Sequence, residues 1–542
     1  NYWNEEKMKN FIKYFFLFLF IFFFGILTER FEIDNKISSN FRNLIDSSSR
    51  FFYSLKSNEK LEIIIDQKEF IKLSKTRERA LKKGMLQDDM QKWVTAKLKD
   101  ENITRNIKIR LKGAFPDHWS DDKRWSFKVK VTDDSKLFNN LYRFNLQTPE
   151  TSSFIYEWLL MKALEKEELI TLGVKYYDLI INGNNIGAYM LQDGISEEIL
   201  KLNNKAPGPI IGFSNDWWLK SLPNEKRLNK LGATGSLNGI EDVFWRTKIE
   251  PVQFADKNIG TIQEAYLKKS IYLLESFRNG TKKPSEVFDT NKLAKVMALR
   301  ALLGSSEFDY KDTKFYFNPK SSLLEPITKE SHVDLNLNFK DHYVSWWINS
   351  SDIRPHRPGN KDFFLDILYN DYKFYRTYIV ELNRLSKKNY YQSLINENKK
   401  EFNKYLKIQN FNYPTKKVFS SEHLEINRAR IQDFLNPVQG LNVYFLEYND
   451  NILKLDVSNL QRLPVEIFGL EFKSGYKIFL KNPIFIQGKK PQLPVKHNII
   501  KFDCSSNEEC KKLLINNQKV TFKVFGQKKE KKASISMFYP KS

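Results

Sequence analysis

Residues 288–332, FDTNKLAKVMALRALLGSSEFDYKDTKFYFNPKSSLLEPITKESH, restrict the possible folds more than any other stretch of the chain. They read as a buried helix, a short acidic loop, a tight hairpin and a second acidic turn, so helix and antiparallel sheet must share one core. Asp289 or Thr290 can cap the helix, because a short side-chain oxygen there accepts an otherwise orphaned N–H. Leu293, Val296, Met297, Arg300 and Leu303 follow at helical spacing, and Gly304 can end the helix in a left-handed turn. The loop carries Glu307, Asp309 and Asp312. Residues 314–317 and 323–327 read as strands joined by the turn signal Asn318-Pro319-Lys320-Ser321, with Glu330, Ser331 and His332 just beyond. A helix, an acidic loop, a hairpin and a further carboxylate form a layout suited to metal-assisted phosphoryl transfer. One carboxylate orients the attacking hydroxyl while others hold magnesium against the phosphate charge. The same acids would also serve as an ordinary solvated loop.

The strongest apolar signal lies at residues 11–28, FIKYFFLFLFIFFFGILT, which has no charged residue from Tyr14 to Leu27. It is long enough to cross a thin bilayer, with Lys13 able to snorkel to the headgroups. No small-residue cleavage site follows, so it reads as an uncleaved signal anchor. Lys7 and Lys9 precede it, Lys13 lies at its start, and Glu29, Arg30, Glu32 and Asp34 follow, which predicts a single pass with a cytoplasmic N-terminal tail (1–10) and the rest outside the cytoplasmic membrane. Residues 29–58 read as a linker. The formal net charge of +23 favours anionic partners. The lysines are spread along the chain without interleaved aromatics, so no nucleic-acid platform is expected. The densest basic cluster, Lys528-Lys529-Glu530-Lys531-Lys532, is broken by an acid. The only cysteines, Cys504 and Cys510, have the wrong spacing for a zinc or redox motif; in an exported protein they suggest one small disulfide.

Folded structure is expected to begin near Leu61. LEIIID reads as a short buried strand, WVTAKLKD and NIKIRLKG alternate like a hairpin, and RWSFKVKV places Trp125, Phe127, Val129 and Val131 on one face with Lys128 and Lys130 on the other. A helix over 152–166 precedes VKYYDLIINGNNIGAYMLQD, a hairpin turned at Asn182-Gly183-Asn184. Residues 203–285 read as an insertion or lid, in which Trp217 and Trp218 would suit sugar stacking if exposed. Residues 361–405 read as two helices, and 422–435 as another. From 436 to 542 the short alternating runs NVYFLEY, ILKLDVSN, PVEIFGLEF, YKIFLKN, IIKFDC and KVTFKVFG predict an all-β sandwich.

The pieces LKGAFPDHW, RWSFKVKV, FNLQTPETSSFIYEWLLMKAL and LIINGNNIGAYMLQD, followed by the helix–loop–hairpin, resemble in order the spore coat protein H (CotH) kinase family over about half of the chain. The resemblance implies an α+β architecture: an atypical protein-kinase-like two-lobed domain over residues 59–435, followed by the sandwich and preceded by the transmembrane helix. It implies phosphate transfer from ATP with Mg2+. Carried over position by position, it implies a nucleotide-facing role for Lys128 and for Lys123 or Arg124, with Asp193 in the place of the acid that ends the YxLxE pattern. It implies catalysis by Asp309 or Glu307 and metal binding by Asp312 and Glu330. Kinase-type spacing from base to metal ligand is five residues, which suits Glu307 with Asp312, while the family position suits Asp309; both pairings stay open. Glu330 is longer than the family's aspartate. Two readings therefore stand: an extracytoplasmic kinase acting on a surface protein or glycan, and an inactive pseudokinase-like module binding polysaccharide or a partner protein.

Overall fold

The computed structural model describes residues 59–100, 103–132, 137–214, 219–220, 244–255, 258–305, 310, 312–333, 344, 347–348, 363–490, 493–505 and 518–537, with residues 45 and 48. The apolar run at 11–28, Trp217, Trp218 and most of the linker lie outside them. Among the described residues no helix is long and apolar enough to cross a membrane. The chain forms two compact units, one from Asn1–Met161, Leu172–Ile199 and Ile395–Ser420, the other from Lys162–Thr171, Leu200–Leu394 and Ser421–Ser542. The architecture is mixed α+β, as expected, with several separate sheets. The helices used below are α1 (Gln67–Lys83), α2 (Ile155–Lys166), α3 (Thr290–Leu303), α4 (Tyr372–Leu385), α5 (Lys399–Asn412) and α6 (Ser421–Leu435).

The first unit is organised by a closed barrel of β1 (Lys60–Ile64), β2 (Val94–Asp100), β3 (Ile103–Leu111), β4 (Phe127–Val131), β5 (Arg143–Gln147), β6 (Val174–Ile181) and β7 (Asn184–Asp193), in the order β1-β2-β3-β4-β5-β7-β6. The ladders are antiparallel except where β6 closes on β1 in parallel. Alternate residues fill the interior, among them Leu61, Ile63, Ile107, Ile109, Phe127, Val129, Phe144, Leu146 and Leu191. This is the period-2 pattern read from β2 to β4. β1 differs: Leu61 and Ile63 are buried, but Ile64 is 40% exposed, so the apolar run is half-buried rather than fully enclosed. The β6–β7 hairpin turns at Asn182 and Gly183, both with positive φ, as an Asn-Gly turn requires. The Asn182 amide also accepts from Ile65 N–H at 2.7 Å and donates to Ile65 C=O at 2.9 Å.

The second unit holds a four-stranded sheet, β11-β10-β8-β9, with β8 (Ile210–Phe213), β9 (Ile249–Pro251), β10 (Lys314–Asn318) and β11 (Leu323–Ile327). Asp289 is the cap of α3, its carboxylate accepting from Lys292 N–H at 3.2 Å, and Gly304 ends the helix at φ 70°. From Leu293 to Leu303 nearly every α3 side chain is buried, because the helix is packed by α4, α6 and β11 together. The region expected to hold two helices holds four: Phe363–Asn370, α4, Tyr390–Glu397 and α5. The first break arises where the Asp371 carboxylate accepts from Lys373 and Phe374 N–H, a new N-cap inside an otherwise continuous apolar pattern.

The C-terminal region packs the sheets β12-β13-β16 and β15-β14-β17-β18 on each other, all antiparallel, from β12 (Leu441–Asn449), β13 (Ile452–Asn459), β14 (Val465–Glu471), β15 (Lys477–Ile486), β16 (His497–Asp503), β17 (Lys519–Val524) and β18 (Glu530–Ser534). The last strand was not anticipated. Its sequence EKKAS has one buried residue, Ala533, and no apolar alternation; it is an edge strand built from the basic cluster, and lysine there discourages edge-to-edge pairing. Cys504 is buried in the sandwich core and disulfide-bonded, its partner lying outside the described residues.

Candidate functional site

In the first unit, β4 projects Phe127, Val129 and Val131 into the barrel and Lys128 outward. Lys128 pairs with Asn145 on β5, and Asn145 pairs with Gln192 on β7. Directly paired residues project to the same side of a sheet, so the three form one lateral row on the outer face. Helix α2 covers the end of that row. Left-handed Ser153 and Phe154 lead into it, and its FIYEWLLMKAL sequence is apolar nearly all round because α5 covers its other side, with Trp158 against Phe402 and Tyr405. The acid in the first turn of this helix, Glu157, is fully buried and accepts from Gln192 Nε2 at 2.6 Å. The row thus runs Lys128, Asn145, Gln192, Glu157, with a strand ammonium at one end and a helix carboxylate at the other. Burial, and then the charge of Glu157, push the Tyr176 hydroxyl well above its ordinary value.

Arg124 is engaged differently. Its guanidinium donates to the Tyr413 hydroxyl and to Ala188 C=O (3.2 Å), lies 3.8 Å from Glu150 and stacks 4.9 Å above the Tyr413 ring. Burial works against its charge, but Tyr413, Tyr189 and Glu150 more than offset this and keep its pKa above the usual arginine value. These bonds make it a clamp between the loop before β4 and the end of α5. Asp193 ends β7, where its carboxylate accepts from Gly173 N–H at 2.8 Å and its own N–H donates to Gly173 C=O at 3.0 Å. Burial lifts its pKa to about 6, although the Gly173 N–H and Lys175 both pull it down.

In the second unit, the turn after β11 is pinned from α3. Arg300, buried among apolar neighbours, donates to Thr328 Oγ1 at 2.9 Å, Lys329 C=O at 3.2 Å and Glu330 C=O at 3.0 Å. Ser305 Oγ donates to Ser331 C=O, and Trp347 Nε1 donates to Ser305 C=O at 2.8 Å. Glu330 and His332 both take left-handed backbone, at φ 59° and 45°. The Glu330 carboxylate lies 2.7 Å from Lys329 Nζ and 3.4 Å from His332 Nε2. Asp312 is half-buried ahead of β10. Glu307 and Asp309 lie outside the described residues. Lys128, Arg124 and Asp193 therefore belong to the first unit, and Asp312 and Glu330 to the second. Among the described residues no group of three or more His, Cys, Asp or Glu side chains is disposed to hold a metal ion.

Three charged residues of consequence escaped the sequence reading. Glu157 stood in plain view as the only acid between Phe154 and Leu164. Arg300 was counted only as a helix-face position. Glu325, alone between Leu324 and Pro326, is 1% exposed and ties Lys292 (2.6 Å), Asn318 (2.6 Å) and Lys205 (3.5 Å) to the hairpin. In each case the signal was one charge set in an apolar run, where it must find a partner.

No family model matches the chain, and no curated protein does. Among solved structures, the crystal structure of a Helicobacter pylori proinflammatory kinase, CtkA, aligns over 56% of this chain and 89% of that one, at 9% identity and a TM-score of 0.24. An overlap that loose carries no argument about the fold or the chemistry.

Proposed function

We propose that this chain is a CotH-like phosphotransferase of the protein-kinase type, tethered by its N-terminal apolar run, that modifies a hydroxyl on a cell-surface protein or glycan outside the cytoplasmic membrane. The observation that carries the reading is the row from Lys128 to buried Glu157. A strand lysine and a helix glutamate on one sheet face are the elements protein kinases use to position nucleotide phosphates. The motifs RWSFKVKV and FIYEWLLMKAL, on which the family resemblance rests, are the segments that supply them. ATP would provide the phosphoryl group, and Mg2+ would neutralise its charge. On this reading Lys128 would hold phosphate oxygens as a mobile point charge, Glu157 would fix the row through Gln192, Asp309 or Glu307 would orient the acceptor hydroxyl, and Asp312 and Glu330 would serve as metal ligands. Arg124 is a poor nucleotide ligand, since its guanidinium already donates to Tyr413 and to Ala188 C=O. A second reading, a tethered non-catalytic module, is favoured by the ion pair between Glu330 and Lys329, because a carboxylate already paired with an ammonium is a weaker metal ligand.

A thermal-shift titration of the full chain with ATP and MgCl2 separates the two. The kinase-type reading expects a Mg2+-dependent rise in Tm that is lost in Lys128→Ala and reduced in Glu157→Gln. A parent protein that shows no nucleotide-dependent shift leaves the non-catalytic module standing.

A further inference from the structure

The basic cluster near the C-terminus lies at one edge of the sandwich. β12 and the segment just after β18, which come from different sheets, are joined where Phe445 N–H donates to Ser536 C=O at 2.8 Å and Ser536 N–H to Val443 C=O at 2.9 Å. On one side of that junction is a cleft of about 750 Å3, within the size range of small-ligand sites. Its walls include Lys529, Lys531, Gln439, Asn442, Tyr444 and Ser534. Phe522 closes the floor beside Gly440, where a Cβ would come within 2.6 Å of the ring, so the absence of a side chain at Gly440 leaves the ring its place.

Lys531 pairs directly with Phe522, a core residue, and therefore projects to the inner side of its sheet. Its Nζ donates to Pro437 C=O at 3.2 Å. The nearby acids are already committed: Glu471 to Lys532 and Lys477, and Glu530 to Lys477. Among the described residues no carboxylate forms an ion pair with Lys529 or Lys531. Burial, and then the charge of Lys529, hold the Lys531 ammonium below the usual lysine value, a cost that an anion in the cleft would relieve.

We propose that this cleft binds a short acidic oligosaccharide, with carboxylates of the sugar on Lys529 and Lys531 and its hydroxyls on the amide and hydroxyl rim. The rim is what separates a sugar from a simple anion. Gln439 and Asn442 are side-chain amides linked to each other at 3.0 Å, and Tyr444 adds a hydroxyl that both donates and accepts, matching a ligand dense in hydroxyl groups. The site lies wholly within the sandwich. It does not depend on whether the kinase-like portion transfers phosphate, and its test reads binding, not turnover.

The chain's net charge of +23 would draw any polyanion loosely, so the control must remove equal charge elsewhere. Trigalacturonate is titrated calorimetrically into the full chain at about 50 mM salt, where surface attraction is only partly screened. The expected result is saturable binding, weakened about tenfold or more in Lys529→Gln/Lys531→Gln through loss of two charge-assisted contacts, and nearly unchanged in Lys473→Gln/Lys501→Gln. Neutral maltotriose should not compete. The proposal falls if trigalacturonate does not bind saturably, if both lysine pairs lose affinity equally, or if maltotriose or a triglutamate peptide binds as well. It falls also if the Lys529/Lys531 variant keeps its affinity and instead self-associates, for the inward lysine is then only a guard on an edge strand.

Discussion

At the scale of single residues, burial sets the behaviour of the ionisable groups. Asp193 is the clearest case, because its pKa rises from the ordinary 3.8 to about 6 in the folded chain. Between those values the folded protein holds a proton that the unfolded chain has released, so stability falls as pH rises through the window. The stabilisation is complete below the unfolded value and gone above the folded one, a change on the order of 3 kcal/mol. Asp193→Asn cannot ionise yet can still accept from Gly173. Its urea midpoint should match the parent near the acid end of the window and exceed it at neutral pH; a gap that fails to widen between the two conditions would refute burial as the cause. Gly173→Ala tests the same spot sterically, since a Cβ there would lie 2.8 Å from the Asp193 carboxylate. The expected loss is roughly 1–3 kcal/mol, as for other overpacked sites, read from the same urea curves.

At the scale of elements, α3 and the hairpin that follows it behave as one piece because Arg300 reaches three acceptors in the turn after β11. Arg300→Leu strands those acceptors and should cost about 3 kcal/mol or more, measured by denaturant unfolding. Arg300→Lys should recover little, since a single ammonium cannot span the three positions that the planar guanidinium serves. Gly304 is the other fixed point. It sits at φ 70°, and a Cβ would meet Asn427 Nδ2 at 2.4 Å, so Gly304→Ala carries both a backbone and a steric penalty. A loss of about 1–2 kcal/mol from the backbone alone is expected, with Asn427 displaced from His423, to which it now lies at 3.1 Å. The helix stop was readable from the isolated glycine at the end of an apolar pattern. The arginine's partners were not, because they lie 28 to 30 residues further on and become neighbours only when the hairpin folds back.

At the scale of the molecule, the sandwich is bound into the second unit through α4. Tyr372 lies with its ring centroid 4.1 Å from that of Phe485, and Phe525 meets Tyr372, Tyr375 and Phe485 while Arg376 stacks 4.5 Å above it. Phe525→Ala should therefore destabilise both elements, by roughly 3–5 kcal/mol for a buried phenylalanine. Hydrogen exchange is the discriminating measurement: protection should drop in α4 and in β14 and β17 together. Loss confined to the strands would mean that the helix and the sandwich open independently.

Local rules determined the strands β1 to β4, β6 and β7, the Asn182-Gly183 turn, the capping and stopping of α3 and the six apolar strands of the sandwich, because period, turn chemistry and caps act over a few neighbouring residues. Tertiary structure alone decided that seven strands close into a barrel with a parallel β1–β6 seam, that Lys128 and Glu157 share a row, and that EKKAS is a strand at all. Each of these depends on pairing between distant segments. The strand EKKAS in particular is held by its ladder to β17 and not by any apolar face of its own, so nothing in its own residues announces it.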